Sequence, residues 1–172
     1  APVFHAGQIG TPLLKGLRAA DFLLAFHGGR IVACCAAWDQ SETRQTHIEA
    51  YSPKLALVRP FYNAFSRMTP LKPLPAPGGV VPYFYLAFTA VEDNDPRVFR
   101  ALLRELYRQR RAGLWHYFIA GFHEDDPLAG VLEEYRRVQA AGRLFLVYFD
   151  GEADMMNRVE RQRIPYLEIA TV

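Results

Sequence analysis

The chain has little cysteine, little net charge and no long hydrophobic run, and each shortage removes a class of function. Its only two cysteines, Cys34 and Cys35, are adjacent in an apolar segment (RIVACCAAW). Neighbours on a strand face opposite sides and a ring closed between them would be strained, so they read as small buried thiols rather than a redox or metal pair. The 20 Lys and Arg residues against 18 Asp and Glu give no global attraction to nucleic acid or to a membrane, and neither is an expected partner. No apolar run reaches membrane-spanning length and no secretory hydrophobic region is present, so a cytoplasmic location is expected. Also missing are a serine or cysteine in a nucleophile elbow, a phosphate-binding lysine loop and a paired-cysteine zinc pattern. Hydrolase, kinase and zinc-finger readings therefore have no support.

What is present is enough apolar material for one core: 51% of 172 residues. One domain over residues 1–172 follows. The abrupt opening, unlike an initiator region, is expected of the C-terminal part of a longer protein, and a processed N-terminus would look the same. A hairpin is predicted from Asp21–Phe26 and Arg30–Trp38 around His27-Gly28-Gly29. Gln45–Tyr51 alternates like a half-buried strand, or continues the preceding strand past an irregularity. Pro53–Met68 reads as a helix opened by Ser52 and Pro53, with Pro60 inside it and only positive charges. Thr69–Val81, rich in proline, is a stiff surface connection.

The most informative stretch follows. Val81–Val91 is a continuous apolar strand, Pro96–Arg111 an amphipathic helix and Trp115–Phe122 a second apolar strand, together a parallel crossover unit. Aromatic Tyr83-Phe84-Tyr85 could stack on bases, but the run is apolar on both faces and reads as buried. Beyond it, a short helix is expected at Pro127–Val138 and strands at Arg143–Phe149 and Ile164–Ala170. The sum is an α/β or α+β mixed sheet with helices on its faces.

The loop leaving the first strand of such a unit ordinarily holds a pyrophosphate on free amides at the helix start. Here it is Glu92-Asp93-Asn94-Asp95, without glycine. Asp95 reads as an N-cap and Pro96 as the first helical residue. Arg97, Arg100, Arg104, Arg108 and Arg111 form a basic stripe opposite Phe99, Leu102, Leu103 and Leu106, which could meet phosphates, an acidic partner or only water. His123-Glu124-Asp125-Asp126 cannot all face one point and no second histidine stands at ligand spacing, so no metal is expected.

The order of elements, with Leu86–Val91 (LAFTAV), Ala101-Leu102-Leu103 and His123–Tyr135 (HEDDPLAGVLEEY), resembles the GNAT-type N-acyltransferases from Asp21 onward. It is similar to the C-terminal half of bacterial members of that family. The resemblance implies the GNAT fold, with acetyl-CoA or another acyl-CoA as co-substrate. It implies a V-shaped opening between the parallel strands taking pantetheine through the backbone of Ala90 and Val91, with Arg97, Arg100 and Asp126 beside the donor. Glu124 would be the catalytic base and Tyr135 the acid. The chain departs from the family in its acidic loop and in lacking the opening strand and two helices. A degenerate, non-catalytic GNAT-like domain serving as a structural or interaction module is therefore the alternative function. The same departure predicts a partner, an upstream domain or a second copy, covering the edge strand or the Pro53–Met68 helix through Leu57, Phe61 and Phe65.

Overall fold

The computed structural model describes residues 5–143, 145, 163–166 and 168–171. β1 (Phe22–His27) and β2 (Arg30–Trp38) form the expected hairpin. β2 pairs antiparallel with β3 (Tyr83–Val91), and β3 pairs parallel with β4 (Tyr117–Ile119). The result is an α+β fold on a four-stranded mixed sheet in the order β1-β2-β3-β4. Two helices accompany it, α1 (Pro53–Ser66) and α2 (Pro96–Arg110). α2 makes the crossover between the parallel strands β3 and β4.

The strand period sorts the core into two layers. Ala33, Cys35 and Ala37 of β2 and Phe84 and Leu86 of β3 face α2, where Phe99, Leu102, Leu103 and Leu106 close over them. Ala36, Trp38, Tyr85 and Ala87 face the other way, onto Leu14, Leu17 and Ala170. β3 is thus covered on both faces, which explains its unbroken apolar sequence. The Trp38 indole N–H donates to Lys15 O at 2.9 Å, fastening the N-terminal turns to that second face.

Four expected elements are corrected. Gln45–Tyr51 forms only an isolated bridge, His47 with Val80, flanked by backbone bonds from Ile48 N to Gly79 O and Val81 N to Thr46 O. Its partner is the proline-rich connection, where Pro75 and Pro77 have no N–H with which to extend a ladder. Trp115–Phe122 is strand only at Tyr117–Ile119. Pro127–Val138 is not an α-helix but a 3-10 turn, Ala129–Glu134. Its anchors Leu128 and Val131 are three apart, the spacing at which 3-10 side chains align. The described part of Ile164–Ala170 is not a strand: it approaches β3 with a side chain and ends in a 3-10 turn, Ile169–Thr171. Most of Arg143–Phe149 lies outside the described residues.

Both helices begin near their expected residues. Ser52, the expected cap of α1, makes no side-chain capping bond, whereas the Asp95 carboxylate accepts from Arg97 N at 2.8 Å and starts α2 as anticipated. Among the described residues no helix is long and apolar enough to cross a membrane.

Candidate functional site

The register of β3 on β2 slips once. Ala36 lies opposite Ala87 and Cys34 opposite Ala90, so β3 carries one residue more than β2 in that interval. This is a bulge. Phe88 sits in it with φ 52°, a left-handed conformation that costs an aromatic residue on the order of 1–3 kcal/mol. Its ring stacks on Phe22 and Trp38, each 5.8 Å away between centroids. Its peptide N–H, turned from the ladder, donates to the carboxylate of Glu168 at 2.5 Å.

Glu168 is the chemical centre of this region. It is 3% exposed. Oε2 accepts from Phe88 N and from the Tyr166 hydroxyl, also at 2.5 Å, while Oε1 accepts from Ala170 N at 3.2 Å. Gln40 donates to Ala170 O at 2.6 Å and secures the same turn. Burial and the hydrogen bond to the Glu168 carboxylate push the Tyr166 hydroxyl far above the ordinary tyrosine range, so it stays protonated. Cys34 Sγ donates to Phe88 O at 3.5 Å, and burial raises its thiol.

In front of this cluster the parallel pairing ends, because β4 stops at Ile119. The last β3–β4 pair is Tyr85 with Ile119, although β3 continues to Val91. A small cavity of about 60 Å³ occupies the opening. Leu86, Leu128 and Phe122 supply its apolar wall, and Thr89, Asn94, His123, Asp126 and Tyr166 its polar groups. Gly121 also lines it, and the absence of a side chain matters there: a Cβ would come within 2.9 Å of Ile169 Cβ. The glycine lets the C-terminal turn close against the cleft.

At the start of α2 the anion position is already filled. Asp95 caps the first amides and pairs with Arg97 at 3.1 Å, and hydrogen bonding from Arg97 holds its carboxyl below the usual range. Glu92 pairs with Arg30 at 2.7 Å. Asp93 and Asn94 take positive φ, 55° and 48°, which these two residue types tolerate best after glycine. The basic stripe on α2 is largely spent on carboxylates: Arg100 and Arg104 both hold Glu134, and Arg108 holds Glu105.

The expected site residues divide accordingly. Asp126 lines the cleft, but its Oδ1 accepts from Leu128 N at 2.8 Å and caps the following turn. Ala90 and Val91 close β3 opposite Cys34 and Ala33. Glu124 is exposed in the turn after β4 and outside the cleft lining. Tyr135 is not on a helix: it follows the 3-10 turn in extended backbone and packs edge-on to Tyr107 and Phe118, beside α2. Arg97 and Arg100 face carboxylates rather than the cleft. Sequence reasoning missed Tyr166, Glu168 and Thr89. The available signal was two ionisable side chains, Tyr166 and Glu168, in an otherwise apolar segment (IPYLEIA).

Among the described residues no group of three or more His, Cys, Asp or Glu side chains is placed to hold a metal ion. Comparison of the chain with protein-family models, curated proteins and solved structures gave no match.

Proposed function

We propose that the chain is an acyl-CoA-dependent N-acyltransferase module whose cleft between β3 and β4 receives the thioester arm of the donor. The observation that carries this reading is the end of the parallel pairing at Tyr85 and Ile119, just before the bulge in β3, with a polar and apolar lining beside it. Beyond Ile119 β3 has no parallel strand beside it, and an extended ligand can lie along that stretch as an added strand does, with the Phe88 N–H already held by Glu168. An amine would attack the thioester carbonyl, forming the C–N bond as the C–S bond breaks and the thiolate leaves with a proton. His123 lines the cleft with its Nδ1 accepting from Asp125 N at 3.2 Å, and Glu124, the expected base, stands next to it outside the lining. Tyr166 lines the cleft where Tyr135 was expected to, but its hydroxyl is held by Glu168 and its pKa is kept far above the ordinary range. The leaving thiolate therefore takes the proton that the amine gives up by way of Glu124 and water, and not one from Tyr166.

The acidic start of α2 does not suit a diphosphate. Asp95 occupies the amides a diphosphate would use, and Glu92 and Asp93 stand beside it. This supports a second reading, a non-catalytic GNAT-like domain that packs against a partner. Calorimetry with acetyl-CoA and with S-acetyl-pantetheine separates the two. The module reading expects S-acetyl-pantetheine to bind about as well as acetyl-CoA, both in the high micromolar range. Binding of neither leaves the non-catalytic domain. Low-micromolar acetyl-CoA affinity that falls in Arg97→Ala/Arg100→Ala would mean that the basic stripe compensates for the acidic loop.

A further inference from the structure

Helix α1 is assembled inside out. Its polar side faces the protein: Arg59 Nε donates to Leu74 O and Pro75 O at 3.1 and 3.0 Å, Asn63 exchanges two bonds with Leu74, and Ser66 is buried. Its apolar side faces outward. Leu57, Phe61 and Phe65 recur every four residues and are 74%, 74% and 59% exposed, Val58 lies beside them, and Met68 just past the helix end is 87% exposed. No buried residue of either core layer comes from α1. Isolated exposed apolar residues are ordinary, but one contiguous helix face of two phenylalanines and two aliphatic residues is a docking surface.

Charge identifies what it fits. From Ala50 to Val91 the sequence has no Asp or Glu, while Lys54, Arg59, Arg67 and Lys72 fall in that interval. Among the described residues none of these four forms an ion pair with a carboxylate. Lys54 is exposed within one turn of Leu57 and Val58, and Arg67 is exposed just past the helix end. We propose that α1 docks in the interface of an anionic phospholipid bilayer, its apolar face in the headgroup and acyl boundary and Lys54 and Arg67 on the phosphates. An interfacial helix has this composition, apolar on one side and basic at the level of the headgroups. A second copy fits less well. An antiparallel pairing of α1 on itself brings together two segments that carry basic side chains and no carboxylate. The near-neutral whole-chain charge conceals this segregation. The inference is independent of the acyl-transfer reading.

Co-sedimentation of the full chain with vesicles is the test, using phosphatidylcholine alone and phosphatidylcholine with about a third phosphatidylglycerol. Expected is binding to the anionic vesicles only, weakened by added salt. Phe61→Ser/Phe65→Ser and, separately, Lys54→Glu/Arg67→Glu should each reduce it by ~tenfold or more. Both variants should unfold at or above the wild-type temperature, because these exposed side chains belong to no folded core. No binding to anionic vesicles, or equal binding to neutral ones, overturns the proposal. So does light scattering that shows a micromolar dimer dissociated by Phe61→Ser/Phe65→Ser, since the second copy is then the occupant.

Discussion

The carboxylate of Glu168 accepts the peptide N–H of Phe88 at 2.5 Å across 80 residues of sequence. Through this one contact the C-terminal turn holds the bulge of the central strand. The β3–β4 pairing ends at Tyr85 and Ile119, just before that bulge, so a buried acid and a strained backbone residue meet beside the cleft.

Removing that acid should therefore be costly. Glu168→Ala leaves the Phe88 N–H, the Tyr166 hydroxyl and the Ala170 N–H without their acceptor. With ~1–3 kcal/mol for each buried unsatisfied donor, part of it recovered by water, the expected loss is on the order of 3 kcal/mol. Glu168→Gln keeps an acceptor oxygen and should lose about 1 kcal/mol. Urea unfolding with an unchanged m-value measures both. Equal stability of Glu168→Ala and wild type would mean that the bulge holds without the acid.

The thiols should differ in reactivity despite being neighbours. Burial, and then the charge of Cys34, push the Cys35 thiol up to about 12, and it has no exposed surface. Cys34 is half-buried and also raised, with its Sγ–H directed at Phe88 O. Thiolate is the reacting species, so neither is a fast nucleophile near neutral pH. Iodoacetamide followed by mass spectrometry should show slow modification at Cys34 and none at Cys35 until the chain unfolds. Prompt labelling of Cys35 would contradict its burial.

The elements visible in the sequence were those with a strong period or a strong cap. The hairpin around Gly28-Gly29, the doubly buried β3 and the Asp95-Pro96 start of α2 each carry their own local reason. What the sequence did not disclose depends on contacts remote in the chain. Nothing near Phe88 announces a left-handed residue, since its partner is Glu168, and IPYLEIA alternates like a strand although Pro165 and the inward carboxylate keep it off the ladder. Tyr135 was expected on a helix because Pro127–Val138 has helical composition, but anchors at Leu128 and Val131 fit a 3-10 turn instead. Leu57, Phe61 and Phe65, expected to be covered by a partner, are exposed on the single chain. What the sequence pattern could not show was that the polar side of α1 is the one turned inward.

Acid should weaken the fold through the ion pairs around α2. Hydrogen bonding from Arg108, then from Gln109, lowers Glu105 to about 2, and Arg100, followed by Arg104, lowers Glu134. A carboxyl whose pKa is depressed by folding contributes stability above its unfolded value of about 4.3, and that contribution is lost as pH falls through the folded value. The thermal midpoint should drop between about pH 4.3 and 2, less steeply in high salt because these groups are exposed. Glu105→Gln should flatten part of that fall. A variant with the wild-type acid profile would show that the Glu105–Arg108 pair contributes nothing to folding.

At the alkaline end the sign reverses and Tyr166 should dominate. Burial is the first cause of its raised pKa and the Glu168 hydrogen bond the second; Tyr83 and Tyr135 are raised too, again chiefly by burial. The unfolded chain releases a tyrosine proton near pH 10, whereas the folded chain still holds it. Above that pH the native state binds more protons than the unfolded state, so stability falls as pH rises. Below pH 10 both states are protonated and the contribution of these groups is level. Tyr166→Phe removes one such group and also its bond to Glu168. The variant should be less stable than wild type at pH 8, and its loss between pH 8 and 11 should be smaller. Chemical denaturation at the two pH values, with tyrosinate absorbance recorded on the native protein, provides the check. Wild-type absorbance should show Tyr166 ionising only as the fold is lost; a Tyr166→Phe slope as steep as wild type would mean that Tyr166 ionises freely in the folded chain and that its hydroxyl is not held by Glu168.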